Sequence, residues 1–223
     1  MTSTAILIPA RYKSVRFDGK PLCNLGGITM IERVYNTCSA TGLDTFVLTD
    51  DKRIAAAINN DDTIVDKTEY NNGTERCAGI IETLNYDQYI NVQGDMPDIT
   101  VDIINKVKDI THMGVATAYT KMDLKLQKDP NTVKVVHSNN NAHWFGRGLT
   151  CGSHHLGIYG YTSKALQSYK QKPSKYETHE GLEQLRWFNL NYNIKITEVE
   201  FKGIEINTPK DKEKWNDSRK SLG

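Results

Sequence analysis

Residues Thr4 to Leu22 read TAILIPARYKSVRFDGKPL, an apolar, β-rich run that breaks into a loop carrying Arg11, Lys13, Arg16 and Lys20, with Pro9, Gly19 and Pro21 along it. Cations packed this closely repel one another, so an ordered loop of this kind wants an anion to gather round. The bland alternative is a solvated surface loop, and the glycine and prolines argue instead for a fixed path.

Outward from this stretch, strand-like and helix-like patterns alternate to about residue 120. TAILIP is followed by MIERVYNTCSA, DTFVLT by DKRIAAAINN, DTIVD by TERCAGIIETL, and QYINVQG by TVDIINKVKDI, before GVATAY. This is the pattern of βαβ units, and it predicts a parallel sheet with helices on both faces. Ile31, Val34, Tyr35 and Cys38 recur at three- and four-residue steps, as one buried helix face requires. Asp51 and Thr74 stand where helix caps are expected.

Beyond residue 120 the rhythm changes. TVKVVHS, AHWFGR and HHLGIYGYT read as antiparallel strands, a helix starts near Ser163, and another is expected from about Lys175 to Leu190. IKITEVEF reads as a strand and TPKDKEKWNDSRK as a solvated closing helix with proline near its start. The 223 residues suit one domain with its own core.

With 28 basic and 27 acidic residues the net charge is +1, which argues against a nucleic-acid surface. Cys23, Cys38, Cys77 and Cys151 are widely spaced, without metal-finger spacing, and read as free, mostly buried thiols. No apolar run approaches membrane-spanning length and no export signal is evident, so no membrane association and a cytoplasmic location are expected.

In an open parallel sheet, ligands sit beyond the carboxyl ends of the strands, where the basic loop, NNGTER and QGDMP all fall. The basic loop contains neither G-x-G-x-x-G nor a complete P-loop, so it is expected to hold a phosphate chain with side-chain cations and backbone amides. Asp95, at the end of NVQGD, places a hard oxygen ligand beside those cations, as a magnesium–nucleotide complex needs.

Taken in order, IPARYKSVRFDGKPL, NNGTER, NVQGDMP, PNTVKVV, HHLGIYGY and YETHEGLEQLR resemble the motifs of the 3-deoxy-manno-octulosonate (Kdo) cytidylyltransferases over nearly the whole chain. The resemblance implies an α/β, Rossmann-like nucleotidyltransferase fold of the glycosyltransferase A type. Residues 1–120 would form the CTP part, 121–200 an antiparallel sugar-binding and dimerisation lobe, and 201–223 a closing metal-side segment. It implies transfer of the cytidylyl group of CTP to Kdo, giving CMP-Kdo and pyrophosphate for lipopolysaccharide or related surface polysaccharide. Mg2+ as cofactor and a homodimer are implied as well.

By the same resemblance, Arg11, Lys20 and Asp95 are catalytic, and Pro9, Ala10, Ser14, Arg16, Gly73, Thr74, Arg76 and Gln93 join Arg11 and Lys20 around the nucleotide. Gln93, Arg147, His155, Tyr159, Glu180, Glu183 and Gln184 would receive the sugar acid, and Asp95 and Asn207 the metal. Read without the resemblance, His155 and Tyr159 fit a packed core equally well, and Glu180, Glu183 and Gln184 share one face of the expected helix.

The chain departs from the family pattern at three places. Met96 stands where relatives carry glutamate, with Asp98 offering replacement charge. Asn207 stands for an aspartate, with Glu205 two residues earlier. The span between Arg147 and His155 is shortened to GLTCGS around its middle. A related sugar acid, such as an amino-substituted Kdo or a sialic-acid-like nonulosonate, and a non-catalytic CTP-binding module are the alternatives these departures raise. A pure interaction protein would leave the basic loop and the Gln-Gly-Asp strand end without a common cause.

Overall fold

A computed structural model describes residues 2–58 and 60–220; Asn59, inside the expected second helix, and residues 221–223 of the closing segment lie outside them. Strands β1 (Thr4–Ala10), β2 (Asn24–Leu25) and β3 (Ile28–Thr29) lead into α1 (Met30–Ser39). Then come β4 (Asp44–Thr49), α2 (Lys52–Ala56), β5 (Thr63–Val65), α3 (Gly73–Ile80), β6 (Gln88–Val92), α4 (Val101–Thr111) and β7 (Val115–Thr120). The second half holds α5 (Leu124–Gln127), β8 (Lys134–Ser138), β9 (Asn141–Gly146), β10 (Ser153–Thr162), α6 (Ser163–Ser168), α7 (Lys175–Glu180), α8 (Leu185–Asn189), β11 (Ile194–Glu198) and α9 (Pro209–Lys220).

The large sheet has the order β5-β4-β1-β6-β10-β7-β11-β9-β8, and β2 with β3 forms a separate two-stranded ribbon. β1 runs parallel to both neighbours, with Ala5 opposite Asp44 and Thr4 opposite Gln88. The expected parallel block is interrupted, because β10 lies antiparallel between β6 and β7. The antiparallel strands β8, β9 and β10 belong to the same sheet as the parallel block. Gly160 permits this placement, since a Cβ there would collide with Thr111 Oγ1 of α4.

Side-chain alternation along β1 feeds two cores, as a period of two dictates. Ile6 and Ile8 join Ile31, Val34, Ile103 and Ile104 on one face, while Ala5 and Leu7 join Cys77, Ala78, Leu166 and Trp187 on the other. A third cluster of Leu25, Met30, Ile206 and Trp215 pins the closing helix. The cysteines are free, with Cys38 and Cys77 buried.

Asp51 caps α2 as expected, whereas α3 is capped by Asn72; Thr74 is buried inside that helix, 3.2 Å from Tyr161 Oη. The single helix expected from Lys175 to Leu190 is also divided. Gly181 ends α7 with φ 63°, a left-handed conformation that glycine adopts without the Cβ penalty, and α8 begins at Leu185. Glu180 is thereby separated from Glu183 and Gln184, and no shared helix face exists. Tyr159, Tyr161 and Phe145 are core residues, and Trp144 packs against Tyr176 and Phe188.

Candidate active site

Two adjoining clefts open at the carboxyl ends of β1 and β6, one of about 1000 Å³ and one of about 210 Å³. They meet at Arg16, Asn72, Gln93, Asp95 and Asn207.

The smaller cleft collects Pro9 and Ala10 from the end of β1, Arg11, Ser14, Arg16 and Lys20 from the basic loop, Gly73 and Arg76 from α3, and Gln93 from the end of β6. Thr74 does not line it; its hydroxyl lies behind the wall and accepts from Asn91 Nδ2 at 3.3 Å. Arg76 is fixed by the Asp66 carbonyl at 3.0 Å and by Asp50 at 3.8 Å, with Tyr70 beneath it. Arg11 and Arg16 are exposed, so the cleft presents solvent-facing cations above the fixed Arg76.

The larger cleft contains Gln93, Arg147, His155, Tyr159, Glu183 and Gln184. Glu180 is not among its lining residues; the break at Gly181 leaves it at the end of α7. Glu183 accepts from Thr74 N and from Gln93 Nε2, both at 3.3 Å, and so ties the start of α3 to the end of β6. Burial pushes its carboxyl up to about 7. Burial acts in the opposite direction on His155, holding the imidazole down at about 3 and hence neutral beside Thr117 Oγ1 at 3.0 Å. Gln184 accepts from Tyr159 Oη at 3.4 Å, and Arg147 donates to the Asn131 carbonyl at 2.6 Å.

Asp95 stands where the clefts join, and Lys20 Nζ lies 2.7 Å from its Oδ2. The backbone carbonyl of Asp95 accepts from Ile206 N at 2.9 Å, drawing the closing segment over the junction. Glu205 lines the larger cleft there, and burial together with the Asp95 charge pushes its carboxyl up to about 7. Asn207 Oδ1 accepts from Arg16 Nη2 at 3.1 Å. No cluster of three or more His, Cys, Asp or Glu side chains suited to a metal exists among the described residues. Asp95, Glu205 and Asn207 all line the larger cleft, and side-chain oxygens of this kind are what magnesium takes when phosphates complete its shell.

Asp98 does not replace the acid missing at position 96. Its two oxygens accept from Ile204 N, Trp215 Nε1 and Arg219 Nη2, so it fastens α9 and the closing segment. Met96 is fully buried in the core and also borders the larger cleft.

One structural centre escaped sequence reasoning. Arg186, 1 % exposed, bonds Glu177 at 2.6 and 2.7 Å, Glu75 at 2.6 Å, and the carbonyls of Tyr169 and Gln171. It clamps α7 and α8 to α3, and nothing in its local sequence marks it as different from a surface arginine.

A cytidylyltransferase family model matches residues 5–196. A mitochondrial 3-deoxy-manno-octulosonate cytidylyltransferase from Arabidopsis thaliana is 38% identical over 93% of this chain and 80% of its own. An 8-amino-3,8-dideoxy-manno-octulosonate cytidylyltransferase from Shewanella pealeana is 39% identical over 94% and 95%. A CMP:2-keto-3-deoxy-manno-octonic acid synthetase solved in complex with CTP superposes with a TM-score of 0.88, at 32% identity, over 100% of both chains. The fold, the two joined clefts and these likenesses agree: the chain belongs to the cytidylyltransferase family.

Proposed function

We propose that the protein transfers the cytidylyl group of CTP to the anomeric hydroxyl of 3-deoxy-manno-octulosonate, giving CMP-Kdo and pyrophosphate. The observation that carries this reading is the meeting of a cation-lined cleft and a polar cleft at one carboxylate, Asp95. The smaller cleft takes the triphosphate on Arg11, Ser14, Arg16 and Lys20, with Gly73 and Arg76 toward the cytidine. The larger takes the sugar acid, whose carboxylate needs a cation and whose hydroxyls need donors and acceptors; Arg147, His155, Tyr159, Glu183 and Gln184 supply both.

The hydroxyl oxygen forms a bond to the α-phosphorus and gives up its proton, while the bond to the β-phosphate oxygen breaks and pyrophosphate leaves. The protein's tasks are alignment of the two reactants and neutralisation of growing negative charge. Gln93, at the junction, orients the partners, and Arg11 and Lys20 stabilise the phosphates. Asp95 would hold magnesium, which when bound would supply Lewis-acid neutralisation of the phosphate oxygens. No nucleophilic serine or cysteine is needed.

The amino-substituted acid is the second reading, favoured by the Shewanella pealeana relative. We further propose a homodimer and a cytoplasmic role in supplying CMP-Kdo for lipopolysaccharide. The family resemblance supports both, and no helix among the described residues is long and apolar enough to cross a membrane.

Pyrophosphate release from CTP, measured with Kdo or 8-amino-Kdo, with magnesium or EDTA, and with Asp95→Ala, tests the reading. Release that requires sugar acid, metal and Asp95 is expected. CTP binding without release for any acid would favour a non-catalytic module, and light scattering reads the oligomer.

A further inference from the structure

One carboxylate outside the smaller cleft touches both of the arms that form it. Asp50 directly follows β4, whose last residue, Thr49, lies opposite Ala10 at the end of β1. Its Oδ1 accepts from Tyr12 N at 3.1 Å, and its Oδ2 lies 3.8 Å from Arg76 Nη2. Neither Asp50 nor Tyr12 is among the residues that line the cleft, whereas Arg11, Lys20 and Arg76 are.

Tyr12 anchors the basic loop. Its amide is tied to Asp50 and its carbonyl accepts from Gly19 N at 3.0 Å, which closes the loop from Lys13 to Asp18 at its base. Arg11 precedes Tyr12 and Lys20 follows Gly19, so each of these cations stands one residue from the closure. The Tyr12 ring is covered by the Arg53 guanidinium, 3.4 Å from the ring centroid, and Arg53 is held in turn by Asp51 at 2.7 and 2.9 Å.

Arg76 is the other arm, with a side chain only 7% exposed. Asp66 holds it through a backbone carbonyl, while the Asp66 carboxylate accepts from Thr68 and Tyr70. The ion pair of Arg76 is with Asp50. A guanidinium this far from water needs a counter-charge, so where Arg76 points depends on Asp50.

We infer that Asp50 is a positioning residue that couples the basic loop to Arg76, and so sets the phosphate-holding cations against the nucleoside side of the site. The inference rests on the CTP reading of the smaller cleft proposed above. The two oxygens act separately: Oδ1 registers the loop, and the charge facing Arg76 holds the guanidinium.

The test separates these two contacts. Asp50→Asn keeps an oxygen for Tyr12 N but turns an uncharged amide toward Arg76, whereas Asp50→Ala removes both contacts. Calorimetric titrations of the full chain, with magnesium and without sugar acid, compare CTP with inorganic tripolyphosphate, which carries the phosphates and no nucleoside. Thermal melts accompany them. Asp50→Asn should weaken CTP by roughly tenfold or more and tripolyphosphate by less than about threefold, while Asp50→Ala should weaken both by roughly tenfold. In an Arg76→Met background, Asp50→Asn should no longer change the ratio of the two affinities, a result that stands even where Asp50→Ala does not fold. Equal losses of CTP and tripolyphosphate in Asp50→Asn overturn the coupling. So does a lower melting temperature with both affinities unchanged, the mark of a merely structural ion pair. A wild type that fails to bind CTP at all would sink the CTP reading and this inference with it, a result distinct from either of these.

Discussion

Lys20 Nζ sits 2.7 Å from Asp95 Oδ2, joining the basic loop after β1 to the turn after β6. In the proposed reaction Lys20 serves the phosphates and Asp95 the metal, and at this distance the two charges neutralise each other. Lys20→Met should therefore have two opposite effects. Pyrophosphate release should fall on the order of a hundredfold, because a phosphate-stabilising charge is gone. Mn2+ binding to the protein without CTP should tighten, because Asp95 is released. A variant weakened in both would mean that Lys20 only shapes the loop.

The Arg186 centre predicts a large stability effect away from the chemistry. Its guanidinium is enclosed by two carboxylates and two carbonyls, so Arg186→Met leaves Glu75 and Glu177 without the cation they share. Removing one partner of a buried ion network costs about 3–5 kcal/mol. Urea unfolding should show that loss, and Glu177→Gln in the Arg186→Met background should recover part of it. A loss under 1 kcal/mol would count against the clamp.

Much of this arrangement is legible before folding, and the reasons differ by residue. Arg11, Arg16, Lys20 and Asp95 are local to strand ends, and strand ends of a parallel sheet share one edge, so alternation alone gathers them. Glu180 misled because helical spacing was carried across Gly181, whose left-handed φ ends α7, a stop that periodicity alone does not encode. β10 could be recognised as a strand, but its position between β6 and β7 depends on α4 approaching Gly160, a contact across 49 residues. Asp98 looked available for a metal because its partners, Trp215 and Arg219, arrive from the far end of the chain.

Met96 bears on the idea that the chain has lost an acid it needs. The side chain is fully buried among Ile31, Val92 and Ile99, so the position is now a core position. Met96→Glu should cost about 2–4 kcal/mol, the penalty of burying a carboxyl without partners. It should not tighten Mn2+ in the CTP complex. Met96→Leu should be nearly neutral. Urea midpoints and an Mn2+ titration decide; a stable Met96→Glu with tighter metal binding would restore the view that position 96 is an impaired ligand.

Glu183 makes stability depend on pH in a definite direction. Burial raises its carboxyl from 4.5 to about 7, so between those values the folded protein holds a proton that the unfolded chain has released. The stabilisation is present in full below pH 4.5 and is lost as pH rises through 7, a change of up to about 3 kcal/mol. His155 pulls the other way between about 3 and 6.5, since the unfolded chain takes up the proton that the buried imidazole refuses. A comparison of wild type with Glu183→Gln cancels that contribution and isolates Glu183. Glutamine at 183 keeps an acceptor for Thr74 N but cannot ionise. The unfolding free energy of Glu183→Gln relative to wild type should therefore be constant below pH 4.5, rise in favour of glutamine up to pH 7, and level off above it. Urea titrations at four pH values from 4.5 to 7.5 measure the slope, and a flat difference across that window would place the Glu183 proton elsewhere.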